Sequence, residues 1–402
     1  MKILWVKADF LHPTTRGGQI RTLETLKRLH RRHEIHYVGI ENPAEPEGVA
    51  RSSEYCTRAY PVRHSVADKN SLAFAGQLVR GLYSPLPVAV ERYRSAAMRQ
   101  RIAELTSTTC FGATVCDFLF PALNFPDLSG CILFQHNVEA AIWRRHASNA
   151  RDPLRRWYFQ LQARRMEIYE REVCRSVRRV IAVSAPDAAA MRDGYGTLRV
   201  AWVPTGVDVE AFARPRGNEL RESEPRDSPP ADVVFLGSMD WMPNQDGARW
   251  FVEEVFPRIR ARKADCTVAI VGRRPDPATR FLAERFAGVT VTGTVDDVRP
   301  YLWGARISIV PLRVGGGTRL KIYEAMAAGV PVVSTAIGAE GLDVSPGENI
   351  SIADTPGDFA DACVALLEGS DRRESMAAKA RELVHARYSW DEVAKCFERL
   401  LV

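Results

Sequence analysis

Short apolar runs rich in Val and Ile recur along the chain, separated by longer stretches with helical spacing. KILWV (2–6), IHYVGI (35–40), ATVCDF (113–118), CILFQH (131–136), RVIAVS (179–184) and RVAWVP (199–204) predict strands in the first half. DVVFLG (232–237), TVAIVG (267–272), VTVTG (289–293), ISIVPL (307–312), PVVST (331–335) and ISIA (350–353) predict strands in the second. Between them lie amphipathic segments such as IRTLETLKRLHRRH (20–33) and ARWFVEEVFPRIRARK (248–263). Continuous apolar strands alternating with helices belong to parallel sheets covered on both faces. Two such sets predict an α/β protein of two Rossmann-like domains.

The rhythm breaks at RPRGNELRESEPRDSPPAD (214–232), which is polar, Pro-rich and without period. Such composition predicts a linker. The expected division is a first domain over 1–213, a linker over 214–231 and a second domain over 232–386. The amphipathic end, 387–402, would cap the second domain.

A length of 402 residues suits two domains, and 46% hydrophobic with 26% charged residues is ordinary for a soluble protein. The eight cysteines include no C-x-x-C pair, which argues against a zinc site or disulfide framework and fits a reducing cytoplasm. The opening MKILWVKADF is interrupted by Lys7 and Asp9 and reads as a strand rather than a leader. No stretch approaches the ~18–20 uninterrupted apolar residues of a membrane span. The net charge of +6 is uneven, since residues 1–210 hold 30 Lys and Arg against 21 Asp and Glu. A basic half points to an anionic membrane surface or to nucleic acid. No nucleic-acid motif accompanies it, so peripheral membrane contact is the expectation, beside a merely solvated basic face.

Ligands of open parallel sheets collect beyond the C-terminal ends of the strands. Four ends carry suggestive residues. The first strand leads to Gly17 and Gly18, which open a helix without forming G-x-G-x-x-G. CILFQHN delivers His136, able to donate to a hydroxyl or take a proton, with Glu139 next on the helix. A histidine bonded within a turn is the alternative. FLGSMDWMPNQD places Gly237 at a strand end and Asn244 at a helix start. PLRVGGGTRLKIYEAMAAGVPVV (311–333) passes from strand through glycines into a helix. Backbone N–H groups of Thr318, Arg319 and Leu320 would face an anion, with Lys321 adding charge. Glu324, three residues after Lys321, shares its helical side and suits the vicinal hydroxyls of a ribose. A surface Lys–Glu pair would not require three glycines, so a nucleotide diphosphate is the better reading.

The same stretch, with the following GAEGL, resembles the donor-site signature of GT-B glycosyltransferases of family 4, the retaining sugar-nucleotide enzymes. AVSAPD, VPTGVD and YSWDEVA extend the likeness along almost the whole chain, and HNVE with SPLPVAVERYRS is most similar to bacterial exopolysaccharide-type transferases. The resemblance implies two Rossmann-like domains facing a central cleft, the final helix crossing back onto the first. It implies that Glu324 binds ribose, that the backbone of Thr318 to Leu320 holds the diphosphate, and that Gly17 and Gly18 lie beside it. The loop read directly, apart from the resemblance, adds Gly316 and Gly317 to the diphosphate cradle. His136 would stand near the reacting sugar and acceptor, and Val295 would meet the base through main chain. Lys321 and Arg319 would meet charge on the leaving group.

Four positions depart from the pattern. Gly316 stands where the first glutamate of E-x7-E is usual, and Ser238 and Asn244 stand where an Arg and a Lys are usual. Thr205 replaces an Asn before GVD. The implied reaction moves a sugar from a nucleoside-diphosphate sugar to a hydroxyl of a glycan, lipid-linked, in cell-surface polysaccharide synthesis. No metal or other cofactor is expected, as no D-x-D motif occurs. A sugar-nucleotide 2-epimerase of the same fold, or a non-catalytic sugar-nucleotide-binding protein of a polysaccharide complex, are the alternatives.

Overall fold

The computed structural model describes all 402 residues except 15–16, 67–75, 79–80, 82, 151, 216–230 and 315–319. The chain divides into two compact units. The first comprises Met1–Thr205 with Val393–Val402, and the second comprises Gly206–Glu392.

In the first unit β1 (Lys2–Val6), β2 (Glu34–Ile40), β3 (Arg58–Val62), β4 (Ala113–Asp117), β5 (Cys131–Gln135), β6 (Arg179–Ala182) and β7 (Val200–Trp202) form one sheet. All pairs are parallel, in the order β3-β2-β1-β4-β5-β6-β7. The central strands are buried along nearly their whole length, as β4 and β5 show, because helices cover both faces. β3 was not expected. Its sequence, RAYPV, is half-exposed and holds Pro61, which an edge strand tolerates because one side needs no ladder donor.

The second unit repeats the plan with β8 (Val233–Leu236), β9 (Val268–Val271), β10 (Val289–Val291), β11 (Ile307–Val310), β12 (Val332–Ser334) and β13 (Ser351–Ile352). Its order is β10-β9-β8-β11-β12-β13, again parallel throughout. Val, Ile and Phe from these strands make one core with the covering helices. The expected helix over 248–263 is not uniform. It widens into a π-turn over Phe251–Val255, just before Pro257, which has no N–H to give to the carbonyl four residues back.

In each sheet the order of strands reverses once, between β1 and β4 and between β8 and β11. A crevice opens beyond the strand ends at such a point.

The expected boundary at 213 moves to Thr205. Residues 206–213 belong to the second unit because Val207 N–H donates to the Tyr388 carbonyl, and Trp303 Nε1 donates to the Phe212 carbonyl. The terminal helix is Trp390–Arg399, and it does not cap the second unit alone. Its later part lies in the first unit, where Phe397 packs 5.4 Å from Trp5 and 4.8 Å from Phe134, centroid to centroid. Glu398 pairs with His33 at 2.7 Å and Arg32 at 2.6 Å.

Candidate functional site

At the reversal of the second sheet, β8 leads into Gly237 and the helix Met242–Trp250 brings Asn244 back over the strand end. Asn244 Nδ2 donates to the Ser238 carbonyl at 2.8 Å. A Cβ on Gly237 would lie 2.7 Å from that amide nitrogen, so the glycine is required by the return of Asn244 whatever else approaches it. From the far side of the reversal comes Lys321, second residue of the helix Leu320–Ala327. Its Nζ donates to Asn244 Oδ1 at 2.9 Å and lies 4.8 Å from the Phe235 ring centroid. Asn244 therefore fixes the ammonium at the crevice of the sheet.

A second cation joins from β9. Gly272 is pressed so closely on Gly237 that a Cβ there would stand 1.8 Å from the Gly237 carbonyl oxygen. The next residue, Arg273, donates from Nε to Ser238 Oγ at 2.7 Å and is 3.6 Å from Asp240, its side chain half exposed. Arg273 and Lys321 thus bring positive charge to Ser238 and Asn244, the positions where the resemblance leads one to expect an Arg and a Lys. Sequence reasoning missed Arg273. The only available signal was a cation directly after the glycine of a strand end, in VGRRPD.

Glu324 sits one turn along the helix from Lys321 and is partly exposed. Among the described residues its carboxylate accepts no hydrogen bond, and burial pushes its pKa up to about 7 against the opposing pull of Lys321. A desolvated carboxylate with its acceptor sites open is poised for hydroxyl donors. Leu320 opens this helix, partly buried, and Val295 leans half-buried on the core of the same unit. Gly316, Gly317, Thr318 and Arg319 lie outside the described residues.

The first unit has its own cluster at the reversal of its sheet. Lys7, just past β1, donates to Asp117 Oδ1 at 3.0 Å, and both are buried. Asp117 also accepts from Trp5 Nε1 at 2.9 Å, Thr22 Oγ1 at 2.7 Å and His136 Nε2 at 2.8 Å. Burial alone would raise its pKa, but Lys7 and His136 overturn this and hold the carboxyl well below the usual range. His136 accepts at Nδ1 from Arg21 at 2.9 Å. A guanidinium can only donate, so the ring is neutral with its proton on Nε2. Burial lowers its pKa to about 3, which Asp117 resists, and lowers that of Arg21 to about 10. Arg21 is held in turn by Thr205, to which Nε donates at 2.9 Å.

His136 thus has both nitrogens engaged, and Phe118 stacks on it at 4.0 Å. Phe118 has φ +71°, an uncommon conformation for a non-glycine residue. Its ring leaves no room for a side chain at Gly18, where a Cβ would come within 2.8 Å of it. Of the expected glycine pair, Gly18 is explained by this packing, whereas a Cβ on Gly17 would meet nothing within 4 Å. Glu139, three residues after His136 and first in the helix Glu139–Asn149, is buried with its pKa raised to about 7 by burial and by Glu170. Glu170 has a structural part, accepting from the Glu139 and Ala140 N–H groups and from Tyr195.

Residues 230–369 match the family described as glycosyl transferases group 1. Over 403 residues the chain is 20% identical to an uncharacterized 44.6 kDa protein of the cps region of Klebsiella pneumoniae, covering 98% of this chain and 97% of that one. It is 30% identical over 210 residues to a GDP-mannose-dependent alpha-(1-6)-phosphatidylinositol monomannoside mannosyltransferase of Mycobacterium tuberculosis, a match spanning 48% of this chain and 53% of that protein. Sucrose-phosphate synthase from Thermosynechococcus elongatus superposes with a TM-score of 0.67 at 16% identity, over 100% of this chain and 98% of that one. Anabaena HepE, in complex with UDP and glucose, superposes with a TM-score of 0.63 at 13% identity over 100% and 99%. The fold is GT-B.

Proposed function

We propose that this chain, whose residues 230–369 form a glycosyltransferase group 1 domain, transfers a sugar from a nucleoside-diphosphate sugar to a hydroxyl of a lipid-linked glycan in the synthesis of a cell-surface polysaccharide. The observation that carries this reading is the arrangement at the β8–β11 reversal. A lysine is fixed by Asn244 at 2.9 Å, with a carboxylate one turn further on whose acceptor sites are open among the described residues. Diphosphate and ribose differ in the same way, one anionic and one offering paired hydroxyl donors.

Negative charge builds on the diphosphate as the glycosidic bond breaks. Lys321, already oriented, and Arg273, half exposed beside Ser238, meet that charge without reorganising. In this reading the chain's own cations, rather than a metal, serve the leaving group. Glu324 grips ribose before and after reaction. Retention by attack on the face the leaving group vacates, with phosphate oxygen taking the acceptor proton, follows from the family 4 resemblance. His136 would touch sugar or acceptor only by giving up Arg21 or Asp117, so we assign it the positioning of this cluster. The cps-region relative supports polysaccharide as the product class, and the UDP-bound neighbour supports a nucleotide donor.

Incubation with labelled UDP-, GDP- and dTDP-sugars and a membrane fraction tests the reading. Label transferred to extractable lipid or polymer is expected. Epimerised sugar nucleotide, or binding without turnover, would replace it with one of the alternatives.

A further inference from the structure

Sorted by structural unit, the charge asymmetry is sharper than by halves of the sequence. The first unit holds 32 Lys and Arg against 20 Asp and Glu, +12, and the second holds 23 against 29, −6. Half of the first unit's excess lies in residues 144–165, with seven Arg and one Asp. These residues join two packed helices, Glu139–Asn149 and Pro153–Ser176. The one acidic residue is spent on the fold, since Asp152 caps the second helix by accepting from the Arg155 N–H at 2.7 Å.

The second helix carries an apolar row that nothing among the described residues covers. Leu154, Trp157 and Ile168 are 72%, 52% and 47% exposed. With Leu161 and Arg164 they follow spacings of three and four residues, so they stand in one stripe about 21 Å long. Arginines stand in and near the stripe, Arg164 within the row, Arg155 next to Leu154 and Arg145 on the first helix. Arg145, Arg155 and Arg164 are exposed, and among the described residues their guanidinium groups have no partner. Beside it, between the two helices, is an open groove of about 580 Å³ whose lining includes Arg144, Arg156 and Arg164 with one carboxylate, Glu167, paired with Arg171 at 2.9 Å.

We propose that this helical hairpin is a docking surface for an anionic phospholipid bilayer, lying in the headgroup plane with Leu154, Trp157 and Ile168 turned to the acyl chains and the arginines on lipid phosphates. Charge decides the occupant. A second copy would set one +6 tip against another, so self-association through this face is opposed. Nucleic acid would satisfy the arginines but leave Leu154 and Ile168 in water. A stripe of apolar residues between cations is the pattern of an interfacial helix, and tryptophan suits the boundary between water and lipid. The surface is independent of the donor chemistry, so it stands or falls separately from the transferase reading.

The test is co-sedimentation of the whole protein with vesicles of phosphatidylglycerol in phosphatidylcholine, against phosphatidylcholine alone. Binding to the anionic vesicles alone is expected, weakening steeply with salt. The variant R145Q/R155Q/R164Q, which removes charges without protein partners, should bind roughly a hundredfold more weakly. L154S/W157S should bind about tenfold or more weakly at fixed salt with its melting temperature unchanged. Equal binding to neutral vesicles, undiminished binding by the triple-arginine variant, or capture by soluble acidic polypeptide or RNA in place of vesicles would overturn the proposal.

Discussion

Lys321 donates its ammonium hydrogen to Asn244 Oδ1 across the reversal of the second sheet, at 2.9 Å. The two residues are 77 apart in sequence, and the bond fixes a charge at the place where a parallel sheet receives its ligand. An ammonium fixed in advance is more useful to a transition state than to a bound ground state, because the charge it meets grows as the bond breaks. Lys321→Ala should therefore lower turnover by about 10²–10³ while changing donor affinity by much less. Asn244→Ala should show a weaker form of the same signature. Steady-state kinetics beside calorimetric titration of nucleoside diphosphate checks this; a rise in KM at unchanged kcat would assign Lys321 to ground-state binding instead.

Glu324 should trade stability for binding. Its folded pKa of about 7 lies above the ordinary carboxylate value, so the folded state favours the protonated form. The stability it contributes is present at low pH and is lost as pH rises from about 4.5 to about 7. Glu324→Gln removes that loss, and at pH 8 the variant should be more stable by on the order of 1–2 kcal/mol, discounted for partial exposure. The same variant should bind nucleoside diphosphate more weakly by ~1.5–3 kcal/mol. Nucleotide affinity of the parent should fall as pH drops below about 7, where the carboxylate gains its proton, and the variant should lack that dependence. Melting and titration across pH 5.5–8.5 read both effects, and a destabilised variant with unchanged affinity would place the ribose elsewhere.

Much of this was legible because the strands of a doubly covered parallel sheet are uniformly apolar. Every expected strand is present; β3 alone was passed over, since RAYPV has neither alternation nor a continuous run. The unit boundary was hidden because VDVEAF continues the chain past Thr205 without the Pro-rich composition of a linker, and the residues that claim it, Tyr388, Trp303 and Arg299, lie far along the sequence. Within the site, Lys321 and Glu324 could be paired by helical spacing. Arg273 could not be joined to Ser238, 35 residues away, nor could His136 be seen to be satisfied by Asp117 and Arg21, because these are meetings of strand ends with one another and with the helix Gly17–His30, far apart in sequence.

His136 belongs to a closed network, so removing it should first be felt in stability. His136→Ala leaves buried Asp117 short of one donor and Arg21 short of one acceptor, at a cost of about 1–3 kcal/mol. The wild-type histidine has a folded pKa of about 3, below the ordinary 6.5. Its contribution is complete above about 6.5 and declines as pH falls toward about 3. The difference in melting temperature between parent and variant should therefore shrink on acidification. A variant as stable as the parent at neutral pH, yet slow in turnover, would restore a direct contact with sugar or acceptor.

The two glycines that open the first helix should behave oppositely. At Gly18 a methyl group would lie 2.8 and 2.9 Å from two atoms of the Phe118 ring, which is itself held at φ +71° and stacked on His136 at 4.0 Å. Neither the ring nor the histidine beneath it can yield cheaply, so Gly18→Ala should destabilise by ~1–3 kcal/mol. Gly18→Ala with Phe118→Leu should recover part of the loss. At Gly17 a methyl group meets no atom within 4 Å, and the position is helical, so Gly17→Ala should leave stability unchanged or raise it by ~0.4–1 kcal/mol. Among the described residues nothing therefore requires glycine at 17. If a donor phosphate approaches its backbone, as the resemblance implies, Gly17→Ala should weaken nucleoside diphosphate binding in a protein that melts no lower than the parent. Unchanged affinity would remove Gly17 from the donor site and leave Gly18 as a packing residue only.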